Sequence, residues 1–290
     1  MESDAQAVEH VLNGSAAVAF PQEFPLPVSL PSRPAFIRQF ELLDIQLVIP
    51  SPTVPPFDDR RVRQALNYAV DRNVVRGLTG VQREYASAAC QLLPPGIPGH
   101  LPYCSYQSGP AEGPDLGPDL AKARALVAES RTVGIPIVLR TGARPEVQAR
   151  GEYTAGVLRD LGCQVTVAPV EGDAPRSVTD AYQIRSRLGW LPDYPQPGNY
   201  FDATVGCGAS YYIPFCNRTI QALADRARSL RRADPAESLS LWAQVDRLVT
   251  DDAAVVPMIN RVATVAVNPQ VGNVINRDGF GPLLDQMWLK

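Results

Sequence analysis

Ile135-Pro136-Ile137-Val138-Leu139 is followed by the segment Glu146 to Leu161, then Gly162, then Val165-Thr166-Val167. The first and last pieces have the apolar, β-branched composition of buried strands, and the middle has the length and periodicity of a helix closed by glycine. A strand-helix-strand run of this kind argues for a parallel sheet and an α/β fold. Working outward, Phe40–Ile49 reads as another buried strand, with Leu42, Leu43, Ile45, Leu47 and Ile49. Asp58-Asp59 caps a helix that puts Val62, Ala65, Leu66, Ala69, Val70 and Val74 on one side. Asp119 opens a helix with Ala123, Leu126 and Val127 inward. One late helix carries Ile220, Leu223, Ala224, Ala227 and Leu230. The next starts Asp234-Pro235-Ala236-Glu237, an N-cap, a first-turn proline and a capping-box acid. Val255–Ile259 and Val262–Val267 read as two strands. Ala7, Val8, Val11 and Leu12 share one face of an N-terminal helix that ends near Gly14. Proline-rich stretches at 21–35 and 50–56 frame the Phe40–Ile49 strand.

The 290 residues are 45% hydrophobic and 20% charged, enough for a full core and near the size at which chains divide into lobes. With a net charge of −3 and no long Lys/Arg run, the chain lacks the electrostatic footprint of a nucleic-acid binder. No apolar run approaches a membrane span, and Met1-Glu2-Ser3-Asp4-Ala5 is not a signal peptide. A chain opening inside a helix is expected to be a fragment of something longer.

Cys90 and Cys104 bracket the loop Leu93-Pro94-Pro95-Gly96-Ile97-Pro98-Gly99. Cys207 and Cys216 bracket a second loop with Gly206, Gly208 and Pro214, and Cys163 is left over. Two short loop-bracketing pairs favour disulfides and an oxidising compartment over five reduced thiols, because loops without a core of their own gain most from a cross-link. Metal binding is disfavoured: neither pair has zinc-site spacing, and His10 and His100 are the only histidines.

The same two histidines weaken any nucleophilic triad. His10 lies on the first helix and His100 in the proline loop, where surface positions are expected. No phosphate-cradling glycine loop or nucleophile elbow occurs. Asp58-Asp59 and Asp251-Asp252 read as a helix cap and a solvated helix end. Arg60-Arg61-x-Arg63 reads as a solvated face pairing with the aspartates before it. The segment Trp190-Leu191-Pro192-Asp193-Tyr194-Pro195-Gln196-Pro197-Gly198-Asn199-Tyr200 has two readings. It is either a core edge with a capping aspartate, or the ligand-facing end of a strand, where an acid meets a cation and flanking rings desolvate and stack on it.

Four blocks resemble one family. Pro55-Pro56-Phe57-Asp58-Asp59-Arg60-Arg61-Val62-Arg63-Gln64-Ala65-Leu66-Asn67-Tyr68-Ala69-Val70-Asp71-Arg72 is similar to its most recognisable signature. Leu93 to Gly99 resembles its lobe-surface loop, Asp119 to Val127 the helix that follows, and Trp190 to Asn199 its W-x-x-D-Y-x-x-P-x-N ligand motif. On these blocks the chain resembles the C-terminal part of the extracellular solute-binding proteins, family 5, of ABC transporters, the oligopeptide and dipeptide binders. The cysteine pairs and the ending Gly281 to Trp288 resemble an actinobacterial-type subgroup, in part of which the binding module is fused to other domains.

The resemblance implies an α/β, type II periplasmic-binding-protein-like fold with one nearly complete lobe plus part of a second. Residues 1–240 would form the solute-binding lobe, and 241–290 a segment returning to the other, mostly absent lobe. It implies that Asp193 meets the ligand's α-amino group, that Trp190 and Tyr194 line the site and that Asn199 supports the loop. The solute would be a peptide or another small amine-bearing compound, bound without catalysis, cofactor or metal. The partner would be an ABC permease or a missing N-terminal lobe, on the extracytoplasmic side of the membrane, although no signal peptide is present. Two other readings stay open: an enzyme reusing the fold in specialised metabolism, or a sensor or scaffold domain of a fusion protein.

Overall fold

The computed structural model describes residues 4–20, 37–78, 86–107, 117–142, 145–170, 183–186, 189–207, 215–277 and 281–290. The proline-rich stretch 21–35, and Gly208 and Pro214 of the second cysteine loop, lie outside them. In chain order the main elements are α1 (Asp4–Leu12), β1 (Val18–Ala19), β2 (Ile37–Pro50), α2 (Arg60–Ala69), α3 (Arg72–Leu78), β3 (Ala86–Ala88), α4 (Leu120–Ser130), β4 (Pro136–Gly142), α5 (Pro145–Asp160), β5 (Gln164–Val170), β6 (Ile184–Ser186), α6 (Pro197–Thr204), α7 (Arg218–Leu230), α8 (Pro235–Asp251) and β7 (Val256–Val267). Short β-pairs follow: Val271–Gly272 with Trp288–Leu289, and Asn276–Arg277 with Gly281–Pro282.

One mixed sheet runs in the order β1-β7-β2-β6-β4-β5, with β3 also paired to β7. The strand-helix-strand unit is β4-α5-β5, and its strands are parallel, as the sequence pattern requires. Strand β4 alternates strictly: Ile137 and Leu139 are buried while Val138 faces solvent. Gly162, at φ 92°, lets the chain leave α5 and enter β5.

Helices cover both faces. On one, Val62, Leu66, Ala123, Val127, Ala155 and Leu158 of α2, α4 and α5 pack on Val48, Ile137, Leu139 and Ile184. On the other, Leu43, Ile45, Leu47 and Ile49 of β2 meet Tyr200, Phe201, Ile220, Ala224, Leu241, Trp242 and Val245 of α6, α7 and α8. Burying each large side chain contributes about 1.5–3 kcal/mol. A small third cluster sets Val8 and Val11 of α1 on Ala19 and Ala266.

Helix α8 begins as its sequence dictates, with Asp234 accepting from the backbone N–H of Glu237. Asp59 and Asp119 cap α2 and α4 in the same way.

Several sequence expectations need correction. The helix after Asp59 is two helices. Val70 turns extended, and Asp71 starts α3 by accepting from the N–H groups of Asn73 and Val74, so Val74 ends up exposed. Val255–Ile259 and Val262–Val267 form the single strand β7, because the intervening Asn260-Arg261 pairs across to Ile45 and Asp44. Arg61 does pair with Asp59, but Arg63 is buried rather than solvated. It donates to the carbonyls of Phe57, Asp58, Asp252 and Ala253 and to the Asp252 carboxylate. Asp251 and Asp252 are therefore not a free helix end, since Asp251 also accepts from Tyr103. Leu241 and Trp242 of α8 share a core with α6, and β7 beyond α8 pairs with β2 along most of its length.

Candidate functional site

The strands β4 and β6 end, at Gly142 and Ser186, on the side of the sheet where β2 carries Leu43 to Ile45. In an α/β sheet this carboxyl end is where ligands sit. Two irregularities shape it. Leu43 has φ 55°, and the β2–β7 register slips between Glu41 and Asp44, so the two residues between form a bulge. The chain beyond β6 returns to β2 and makes one isolated antiparallel bridge, Trp190 to Ile45, closed by two hydrogen bonds of 2.8 and 3.1 Å. Gly189 permits this approach: a Cβ there would lie 1.3 Å from the Ile45 carbonyl oxygen.

After the bridge, the chain turns through buried Pro192 into α6, where Pro197 occupies the first turn. That turn brings Asn199, 7% exposed, under the loop. Its Oδ1 accepts from the Trp190 indole N–H at 2.8 Å and from the Asp193 backbone N–H at 3.2 Å, and its Nδ2 donates to Asp193 Oδ2 at 3.3 Å. One neutral amide therefore fixes an indole ring and a carboxylate beside each other. Trp190 is half-buried against the α6–α8 core, and Asp193 is exposed. Tyr194 is 48% exposed, and no hydrogen bond of its hydroxyl ties it to this trio. Next in α6, Tyr200 donates from its buried hydroxyl to the Leu43 carbonyl, which fixes α6 to the bulge.

On the opposite face of β2 lies a buried polar network that sequence reasoning missed. Asp44 accepts from Gln46 Nε2 through both oxygens, and its Oδ2 accepts from Nε of Arg261 at 2.6 Å. Nη2 of Arg261 stands 2.5 Å from the same oxygen. Gln46 Oε1 accepts from Arg150 Nη1 at 2.9 Å, and Arg150 also reaches Ser186. Burial pushes the Asp44 carboxyl up, while the Arg261 guanidinium opposes that shift. The sequence singled out only the apolar residues of this strand, and α5, through Arg150, covers the face that Asp44 and Gln46 occupy.

The bacterial extracellular solute-binding proteins, family 5 (Middle), match residues 3–212 of this sequence. The chain belongs to this family. Heme-binding protein A of Haemophilus influenzae is 26% identical over 229 residues, covering 74% of this chain and 39% of that protein. The dipeptide-binding protein of Escherichia coli is 25% identical over 209 residues, 68% of this chain and 37% of that protein. Among solved structures, clavulanic acid biosynthesis oligopeptide binding protein 2 superposes with a TM-score of 0.84 at 22% identity, over the whole of this chain and 55% of the other. HbpA2 from Haemophilus parasuis gives 0.81 at 17%, over the whole of this chain and 57% of its own. The fold is thus that of type II periplasmic binding proteins, and the chain spans less than half the length of these curated relatives.

Both expected cysteine pairs of this family member are bonded, Cys90–Cys104 and Cys207–Cys216, with Cα separations of 5.0 and 4.5 Å. Cys163 is a buried free thiol, pushed up by burial. The first disulfide loop feeds Leu92, Leu93 and Ile97 into the core against Leu43 and Ile45. It is held from beneath by Asp246 of α8, which accepts from the N–H groups of Leu92 and Leu93 and from Gln91 Nε2. Burial raises the Asp246 carboxyl to about 7. His10 is exposed, and His100 is half-buried with its imidazole lowered by burial. Among the described residues no group of three or more His, Cys, Asp and Glu could hold a metal, and no helix is long and apolar enough to cross a membrane.

Proposed function

We propose that this chain is the solute-binding portion of an ABC-type importer's binding protein, and that it holds a peptide or related amine-bearing solute without chemical turnover. The observation that carries this reading is the Trp190–Asp193–Asn199 trio at the carboxyl end of the sheet. Asn199 donates to one carboxylate oxygen of Asp193 and accepts from the Trp190 indole N–H, so the exposed acid and the indole are held by the same amide. A primary ammonium there gains both ion pairing and ring-quadrupole attraction, each stronger as the solute displaces water. Tyr194 would add a second ring by turning onto the solute.

Relatives named for dipeptide, di/tripeptide and oligopeptide binding support a peptide. The working protein would act outside the cytoplasm with a permease. The part of the chain beyond the Leu43 bulge, with α1, β1 and the end of β7, would form the base of a second lobe.

Calorimetry with short peptides tests the reading. Asp193→Ala is expected to weaken a measured affinity at least tenfold. N-terminal acetylation of the peptide should do the same to the parent chain. Unchanged affinity in both overturns the amine role.

A further inference from the structure

We infer that Asn13 is a self-modification site. The fold directs its carboxamide to close a cyclic imide with the backbone nitrogen of Gly14, and water opens that imide to aspartate or isoaspartate. The inference stands apart from the binding reading of Trp190, Asp193 and Asn199.

Three observations support it. First, Asn13-Gly14 is the single Asn-Gly step in the sequence, and it is exposed just past the end of α1. Gly14 has no Cβ to shield its nitrogen, and its φ of 85° turns the chain back on itself. Its N–H is held by a long bond of 3.3 Å to the Val11 carbonyl, which also accepts from Asn268 Nδ2 at 3.0 Å. Second, the Asn13 carboxamide is folded over its own backbone. Its Oδ1 accepts from the Ser15 N–H at 2.9 Å, closing a turn in which the side chain stands in for a peptide group. That ring lays the carboxamide over the Asn13–Gly14 peptide, whose nitrogen is the nucleophile. Third, the same oxygen takes a second donor. Ser15 Oγ stands 2.6 Å from Asn13 Oδ1 and 2.6 Å from His10 Nδ1. Each contact needs a proton, and the hydroxyl has only one. Oδ1 has none to give, so the hydroxyl points at Asn13 and His10 Nδ1 supplies the other. The donors run from His10 to Ser15 to Asn13 and polarise one another. The alternative acceptor for Ser15 Oγ, the His10 carbonyl, is farther off at 3.3 Å.

As the Gly14 nitrogen attacks Cγ of Asn13, negative charge develops on Oδ1, where the Ser15 N–H and hydroxyl already point. This is the arrangement of an oxyanion hole. The N–Cγ bond forms and the Cγ–Nδ2 bond breaks. Nδ2 leaves with the Gly14 amide proton as ammonia, so no oxidant, reductant or cofactor is needed. Water attack at the side-chain carbonyl of the imide gives aspartate. Attack at the main-chain carbonyl gives isoaspartate, with an extra methylene in the backbone. Either product sets a negative charge at the C-terminal end of α1, where the helix dipole disfavours it. Asn268 ties this end down through the carbonyls of Val11 and Ala17. Conversion should therefore loosen Val8 and Val11 from Ala19 and Ala266.

The test ages the full chain at neutral pH beside a free peptide of residues 7–19. Position 13 is followed by peptide mapping and an isoaspartate assay. The peptide reports what the bare sequence does, and the folded chain should convert about three- to tenfold faster. A folded chain no faster than the peptide overturns the proposal. Ser15→Ala removes the hydroxyl, and His10→Ala removes the donor behind it. Each should slow the chain about three- to tenfold and its matching peptide by less than about twofold. Substitutions that slow chain and peptide alike overturn the relay. Ser15→Thr keeps the hydroxyl and should keep the rate, and a Ser15→Thr chain as slow as Ser15→Ala also overturns it. Far-ultraviolet dichroism identifies a variant that does not fold. If Ser15→Ala fails in this way, His10→Ala, at an exposed position, carries the comparison. Hydrogen exchange across α1 should quicken in the converted chain, and unchanged exchange overturns the loosening.

Discussion

Tyr200 donates its hydroxyl proton to the carbonyl of Leu43, the residue of β2 that lies in the left-handed region at φ 55°. The bulge bends the strand so that this carbonyl points at α6 instead of into the ladder, and burial leaves it no water to bond. Tyr200→Phe removes the donor and strands the acceptor. A loss of about 1–3 kcal/mol is expected in urea titrations, with the slope of the transition unchanged.

Gly189→Ala probes the closest backbone approach in the site. With a Cβ only 1.3 Å from the Ile45 oxygen, the bridge cannot form as it stands, and Trp190 must move with it. Two hydrogen bonds and part of the indole packing are lost together, so the expected cost is about 2–5 kcal/mol. Tryptophan emission should shift red in the native state, and an unchanged spectrum and midpoint would show that the bridge is dispensable.

Asn199→Ala leaves Trp190 and Asp193 in the sequence but removes what aligns them. If Asp193 binds an amine, Asn199→Ala should lose at least tenfold in affinity although Asn199 itself need not touch the solute. The accompanying stability loss is about 1–2 kcal/mol, since two N–H donors at the loop lose their acceptor. Calorimetry on Asn199→Ala and on the double variant with Asp193→Ala should show strongly non-additive losses.

Stability should depend on pH through Asp246. Its carboxyl sits at about 7 in the folded chain, against about 4 when unfolded. Below pH ~4 the acid is protonated in both states, and the preference of the fold for the neutral form is fully expressed. Between pH ~4 and ~7 the unfolded chain releases the proton and the folded chain keeps it, so stability falls by up to about 1.4 kcal/mol per pH unit, and the fall ends above pH ~7. Asp246→Asn should flatten this part of a urea-midpoint profile. A slope surviving the substitution would place the titrating group elsewhere.

Regular segments were readable in the sequence because they obey period and capping rules: β4-α5-β5, the capped starts of α2, α4 and α8, and the loop-closing cysteine pairs. The family blocks also pointed to the right family. What escaped was polar burial. Asp44, Gln46, Arg63, Arg72, Arg150 and Asp246 are all buried, whereas Arg63 read as part of a solvated face and the others carried no burial signal, because nothing local shows which helix will cover a polar position. Arg72, for example, is enclosed and donates to the carbonyls of Ala89 and Pro257, and burial lowers its guanidinium to about 10. Those partners are 17 and 185 residues away, beyond any local pattern. The Trp190–Asn199 segment showed its aromatic-acid composition, but the Asn199 hydrogen bonds depend on the turn into α6, and the bridge to Ile45 depends on Gly189, just before the motif, whose approach to a strand 144 residues earlier leaves no local pattern.

The brace of the Trp190–Asp193 pair is an uncharged amide. Added salt, which screens exposed charges over about 10 Å at 0.1 M, therefore leaves that frame intact and acts only on the meeting of Asp193 with a cation. The ionic-strength dependence of binding would then measure the charge on the solute, free of any loosening of the site that receives it.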